Sequence, residues 1–337
     1  MTPATIARGP RPAAGRALVT GCAGFIGSHL CEQLIADRYE VVGVDNFTPY
    51  YDRAIKESNL RALRQSSAFR LHEVDLAEAP LRGLLEGIDV VFHLAGQAGV
   101  RCSFGEQFDD YLRNNVQATQ RLLDAAAETD VRRFVYASSS SVYGDQVAYP
   151  TNEEAPRLPV SPYGITKMAT EDLAAVYERT RGVPGIGLRY FTAYGPRQRP
   201  DMAFSRFVDR ALAGEPLPVF GDGRQIRDFT FVRDIVRGTI AAGEFGQVGR
   251  VYNVGGGHPV QLRDVITVLG ELVGRQLDID WRPTQIGEAT RTSADCRLAE
   301  RELAFAADTP LRVGLAAQVR WALERGSSSG RSDALVA

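Results

Sequence analysis

Tyr163 and Lys167 stand four residues apart in SPYGITKMATEDL, a spacing that puts both side chains on one face of a helix. A tyrosine has an ordinary pKa of about 10 and acts as a base near neutral pH only beside a cation. Lys167 can be that cation. The chain has 12 tyrosines but, among 39 basic residues, only two lysines, Lys56 and Lys167. A Tyr-x-x-x-Lys match would be a rare accident on those counts, and a retained lysine in so arginine-rich a chain invites a chemical explanation.

A second group lies just upstream. The run YASSSSVYG offers Ser138, Ser139, Ser140 and Ser141, whose hydroxyls can donate and accept hydrogen bonds beside a reacting carbinol. A plain serine-rich turn explains Ser138 better than it explains all four.

These groups need a scaffold, and the pattern of the chain supplies one. Short apolar runs (RALVT, YEVVGVD, FRLHEVD, DVVFHLAG, RRFVYASS, GIGLRYF) alternate with stretches of helical period at about 25–37, 78–86, 107–128 and 163–180. The alternation predicts βαβ units and a doubly wound parallel sheet with helices on both faces, an α/β fold of the Rossmann type. After residue 191 the pattern loosens into loops rich in Gly, Pro and Arg, read as a smaller C-terminal domain that closes over the carboxyl edge of the sheet, where ligands of open α/β sheets lie.

The first βα turn, VTGCAGFIGSHL, carries Gly21, Gly24 and Gly27. Glycines there allow a tight turn and a close approach of backbone to a pyrophosphate at a helix N-terminus. Phe25 and Ile26 belong to the same turn. Asp45 ends the second apolar run, where a carboxylate accepts hydrogen bonds from a ribose diol and repels a 2′-phosphate. The expected cofactor is therefore NAD rather than NADP. Asp75, at the end of the third strand, and Leu94, Ala95 and Gly96, at the end of the fourth, lie on the same sheet edge, while His93 is read as a packed core residue.

The chain has 337 residues, 44% of them hydrophobic and 24% charged, with a net charge of −2. This is an ordinary globular composition with no overall field for nucleic acid or an anionic membrane. No run is long enough for a membrane helix, and four scattered cysteines without a Cys-x-x-Cys pair suggest no metal site and a reducing cytoplasm. Residues 1–15 and 326–337 read as loose tails.

Taken together, the glycine loop, DNF, HLAGQAGVR, SSSSVYG, Tyr-x-x-x-Lys and RYFTAYGPR resemble the extended short-chain dehydrogenase/reductase family of nucleotide-sugar epimerases and dehydratases over residues 16–325. DNFTPYYD, AGQAGVR, GPRQRPDM and QIGE are most similar to its UDP-glucuronate 4-epimerases. The resemblance implies an NAD-binding domain of residues 16–191 with a returning segment at about 228–258, and a nucleotide-sugar domain of 192–227 and 259–325. It implies Ser139, Tyr163 and Lys167 as the catalytic set, Tyr163 as base and Lys167 as the residue that binds the ribose and lowers the tyrosine's pKa. Asn46, Leu76, Tyr190, Tyr163 and Lys167 join the expected cofactor site through the same resemblance. Arg227 and Arg291 match positions that contact the UDP diphosphate, and Arg101 and Arg199 could reach phosphate or uronate. A homodimer is the usual assembly.

Relatives that dehydrate carry Asp-Glu where this chain has Ser140 and Ser141, and decarboxylases carry Glu at the second position. A carboxylate there would repel a uronate, whereas hydroxyls can hydrogen-bond it. Ser140, Ser141 and Thr192 are therefore the expected carboxylate holders, and the expected reaction is C4 epimerisation of UDP-glucuronic acid to UDP-galacturonic acid through a 4-keto sugar. UDP-glucose 4-epimerisation and UDP-glucuronate decarboxylation are the alternatives; the intact Tyr163–Lys167 pair argues against a non-catalytic NAD-binding protein. The chain departs from the family pattern at Glu288 (usually Asp), at Gly96 (commonly Ala) and at Thr192, which replaces the Asn of neutral-sugar epimerases.

Overall fold

A computed structural model describes residues 15–284, 287 and 289–328; the expected tails of 1–14 and 329–337, and Glu288, lie outside the described residues. The first half of the chain runs β1 (Arg16–Thr20), α1 (Phe25–Ala36), β2 (Glu40–Asp45), α2 (Arg53–Asn59), β3 (Phe69–Glu73), α3 (Arg82–Leu85), β4 (Val90–His93), α4 (Phe108–Tyr111), α5 (Ala118–Ala126), β5 (Arg133–Ser139), α6 (Pro162–Arg181) and β6 (Gly185–Tyr190). The second half runs β7 (Thr192–Tyr194), α7 (Ala203–Ala213), β8 (Leu217–Phe220), β9 (Ile226–Phe231), α8 (Val232–Phe245), β10 (Val251–Val254), β11 (Pro259–Gln261), α9 (Leu262–Val273), β12 (Ile279–Arg282), α10 (Arg297–Leu303) and α11 (Leu311–Ser328).

Seven strands form one parallel sheet in the order β10-β6-β5-β4-β1-β2-β3. This is the doubly wound architecture that the sequence predicts. The chain order reverses between β1 and β4, so a crevice opens there at the carboxyl ends of the strands. Burial on both faces explains the nearly continuous apolar strands: Val19, Phe92, Val135 and Leu188 pack toward α1, α8 and α10, whereas Leu18, Val91, Phe134 and Tyr136 pack with Leu85, Leu122 and Ala174 of α3, α5 and α6.

A three-stranded sheet, β11-β9-β7, and the pair β12-β8 lie beyond this layer. Their core is separate, with Phe204, Phe207, Leu217, Val265, Leu269 and Leu315 buried between α7, α9 and α11.

Two sequence expectations need correction. The helix expected at 78–86 is confined to Arg82–Leu85, because Pro80 offers no backbone N–H and disfavours helical geometry at the residue before it. Residues 326–328, expected in the C-terminal tail, belong to α11; the packing of Leu315, Val319 and Ala322 carries the helix into residues of low intrinsic propensity.

Candidate active site

A cavity of about 840 Å³ occupies the crevice at the strand ends. Its wall includes Gly21, Gly24, Phe25, Ile26 and Gly27 after β1, Asp45 and Asn46 after β2, Asp75 and Leu76 after β3, and Leu94, Ala95 and Gly96 after β4. Ser139, Ser140 and Ser141 after β5, Tyr163 and Lys167 of α6, and Tyr190 and Thr192 around the end of β6 continue it, with Arg101, Arg199 and Arg227 at its outer part. Arg291 is the exception among the expected site residues. It is not part of this wall; its guanidinium stacks on the Tyr149 ring at 4.7 Å.

The cofactor end is built from backbone and carboxylates. No side chain caps α1 at Gly24, which leaves the positive helix terminus to an anion. A Cβ on Gly27 would lie 2.1 Å from the Gly21 carbonyl oxygen, so this turn closes only around glycine. Asp45 is buried and accepts from the N–H groups of Ala23 (3.1 Å) and Phe47 (2.8 Å) and from the Lys56 ammonium (3.2 Å). Asn46 donates to Asp75 at 3.4 Å. Burial acts to raise the Asp75 carboxyl, but hydrogen bonds from Arg113 and the Ala77 N–H overcome it and hold the group below its ordinary value. An uncapped helix end, a glycine-only turn and a fixed carboxylate at the end of β2 fit the pyrophosphate and ribose of NAD.

The reacting end rests on β5 and α6. Ser161 caps α6, accepting from the Gly164 N–H at 3.1 Å, Pro162 opens it, and Gly182 closes it at φ 70°. These signals fix the helix so that Tyr163 and Lys167 share a face toward the cavity. The Ser139 hydroxyl accepts from the Ser141 N–H and donates to the Ser141 hydroxyl, both at 3.1 Å. Burial raises the Tyr163 phenol, while a hydrogen bond with Ser139 and the charge of Arg199 pull it down. Lys167 is buried, which pushes its ammonium down to about 8; it donates to the Ala137 carbonyl at 2.9 Å. Among the charged groups it is Arg199 that acts to lower the phenol in this geometry.

Gly96 packs against this corner. A Cβ there would approach the side-chain amide oxygen of Asn115 to 2.8 Å and the Lys167 ammonium to 3.4 Å. Asn115 is itself held by Gln97 and Thr166. His93 is buried between Thr20 and Thr119, at 2.8 and 2.9 Å, and burial pushes its imidazole down to about 3. It is a neutral core residue.

The outer part of the cavity gathers arginines. Arg199 makes a bidentate pair with Asp201 at 2.9 and 2.8 Å, and Arg101 lies over the Phe220 ring at 4.4 Å. The Arg227 guanidinium donates to the carbonyls of Ile226 and Thr290. Arg206 of α7 joins the wall; burial first, and then the like charges of Arg101, Arg210 and Arg282, lower its pKa. Such crowding suits a ligand with two or more negative charges. Sequence reasoning missed Arg206, one arginine among many, and missed Lys56 as part of the wall, although its rarity was a usable signal.

The sequence pattern of the NAD dependent epimerase/dehydratase family matches residues 17–255. The chain belongs to that family. Among epimerase/dehydratase relatives, a UDP-glucuronate 4-epimerase of Thermodesulfobacterium geofontis is 35% identical over 316 residues, covering 92% of this chain and 97% of the relative. An uncharacterized UDP-glucose epimerase of Bacillus subtilis is 42% identical over 306 residues, covering 90% and 96%. The crystal structure of the UDP-glucuronic acid 4-epimerase of Bacillus cereus with UDP-glucuronic acid and NAD superimposes with a TM-score of 0.90 at 40% identity, covering 92% of this chain and 99% of that one. Among the described residues of this family member, no helix is long and apolar enough to cross a membrane.

Proposed function

We propose that the protein is an NAD-dependent nucleotide-sugar 4-epimerase that interconverts UDP-glucuronic acid and UDP-galacturonic acid. The observation that carries the choice of substrate is the set of uncharged hydroxyls, Ser140, Ser141 and Thr192, on the cavity wall beside Ser139 and Tyr163. NAD, when bound, supplies a reversible acceptor for the hydride on C4. Tyr163 takes the proton from the C4 hydroxyl, directly or through Ser139, and returns it after the 4-keto sugar has turned over.

The 4-keto form of a uronate is a β-keto acid, which loses carbon dioxide when the C5–C6 bond aligns with the carbonyl π system. In this reading Ser140, Ser141 and Thr192 hold the carboxylate out of that alignment without charge repulsion. Arg227 and Arg291 are assigned to the diphosphate, with Arg101 and Arg199 at phosphate or uronate. Arg291 requires its stacking on Tyr149 to open or its backbone to do the work.

Residues 16–191 with the return at about 228–258 serve the cofactor, and 192–227 with 259–325 serve the nucleotide sugar. A homodimer fits the exposed apolar side chains Ile165 and Val176 on α6 and the neighbouring Leu112, and a cytoplasmic setting fits four cysteines that are all free.

The test is incubation of the purified protein with UDP-glucuronate and, in parallel, UDP-glucose, with both C4 epimers followed by NMR. Preferential turnover of the uronate, with deuterium placed at C4 retained in the inverted product, is expected. Equal turnover of UDP-glucose, or loss of the label to solvent, overturns the reading.

A further inference from the structure

Behind the reacting residues, on the side away from the cavity, lies a buried ion pair that the reaction scheme above does not use. Glu171 of α6 and Arg189 of β6 are both about 5% exposed or less as residues, and the guanidinium grips both carboxylate oxygens, at 2.8 and 2.7 Å. Neither side chain belongs to the wall of the large cavity.

Their partners alternate with the functional residues along the chain. Ser138, adjacent to Ser139, donates its hydroxyl to Glu171 at 2.5 Å. Arg189, adjacent to Tyr190, donates to the Tyr143 hydroxyl at 2.8 Å and the Glu153 carbonyl at 3.0 Å. Tyr143 follows the serine turn directly and donates onward to Asn253 of β10 at 2.7 Å. Glu171 lies one helical turn beyond Lys167, on the same face. The segments that present Ser139, the serine turn, Tyr163, Lys167 and Tyr190 are therefore tied to one pair.

We propose that Glu171 and Arg189 are positioning residues for epimerisation, holding β5, the serine turn, β6 and α6 in one register so that Ser139, Tyr163 and Lys167 meet the sugar together. The proposal rests on the epimerase reading. Removing either partner of a buried, hydrogen-bonded pair strands a charge and is costly, whereas the intact pair is weak evidence for stability as such; here its bonds to several elements are what carry the positioning role.

The pair also faces Lys167 electrostatically. The groups around that ammonium are Glu171 on α6, the Ala137 carbonyl on β5, neutral His93 on β4 and Asn115 beside Gly96; Glu171 in turn faces Ser138 and Tyr136 on β5, Arg189 on β6, and Arg157. Burial lowers Lys167 and Glu171 opposes it. Glu171→Gln removes that support and leaves Arg189 uncompensated, so Lys167 must lose its proton at lower pH. Arg189→Gln leaves the carboxylate uncompensated, so Lys167 must hold its proton to higher pH. The two variants shift one titration in opposite directions, which general loosening of the fold does not do.

The chain's two lysines make the test direct, since protein labelled with ¹³C at lysine Cε gives two resonances, assigned with Lys56→Arg. The Lys167 resonance is expected to titrate lower by about one pH unit in Glu171→Gln and higher in Arg189→Gln. In both, kcat with the nucleotide sugar falls about ten- to a hundredfold while KM stays within about threefold, and Arg189→Lys recovers part of kcat. An unchanged Lys167 titration together with unchanged kcat per NAD-loaded molecule overturns the proposal.

Should both charge variants fail to fold, Ser138→Ala, which cuts a single bond of the network, decides: a lowered kcat at unchanged KM supports positioning and unchanged kinetics refutes it. The NMR titration does not depend on turnover, so wild-type protein inactive on both sugars would sink the epimerase reading while the opposite shifts still stood.

Discussion

The two ends of the cavity treat charge in opposite ways. At the cofactor end each charged group is matched within the protein: Asp45 by Lys56 and two backbone N–H groups, Asp75 by Arg113 and Asn46. At the sugar end Arg199 is matched by Asp201, but like charges are also brought together, and Arg206 is destabilised as a cation by burial and by Arg101, Arg210 and Arg282. The first arrangement is settled before any ligand arrives. The second gains most when a diphosphate enters, because an anion relieves repulsion among the arginines as well as making its own contacts. A coenzyme that stays through the cycle and a substrate that leaves after each turnover call for these two designs.

The sharpest test sits where the two ends meet. Tyr163→Phe should lower kcat by about 10²–10⁴ while the NAD content of the isolated protein and its affinity for UDP remain those of the wild type; retained turnover would remove the assigned base. At the cofactor end, Asp45→Asn strands Lys56 and should cost about 3–5 kcal/mol, read as a lower urea midpoint and loss of NAD on gel filtration. A variant that kept its NAD would break the contrast drawn above.

At the sugar end, Arg227→Ala and Arg206→Ala should each raise KM for the UDP-sugar about ten- to a hundredfold, flatten its dependence on salt and leave NAD content unchanged. Relief of like-charge crowding implies that Arg206→Ala raises, or leaves unchanged, the melting temperature of the ligand-free protein. The smallest effect belongs to Thr192→Ala. It should raise KM for the uronate about two- to tenfold, leave UDP-glucose binding unchanged and release carbon dioxide above the wild-type level.

The parts of this molecule that were legible in the sequence are those fixed by local chemistry. Alternating apolar runs and helical stretches predict the parallel sheet, and the glycine turn, Asp45 and the Tyr163–Lys167 spacing predict one crevice that holds them all. What escaped depends on long-range packing. Arg206 is one of many helix arginines until α7 turns it toward the cavity. Arg291 matches a motif, yet Tyr149, distant in sequence, takes its guanidinium. Ser138 reads as a bland turn residue because its partner Glu171 lies on another element, and the Glu171–Arg189 pair has no signature short of the fold.

Gly96 closes a route that composition alone would leave open. One base change converts this glycine to alanine, yet the added methyl would press on an amide oxygen that Asn115 cannot easily swing away, since Gln97 and Thr166 hold it. Substitution by alanine is therefore contingent on a prior change at 115 or 166, and the order in which mutations can accumulate around Lys167 is constrained by a contact that exists only in the folded molecule.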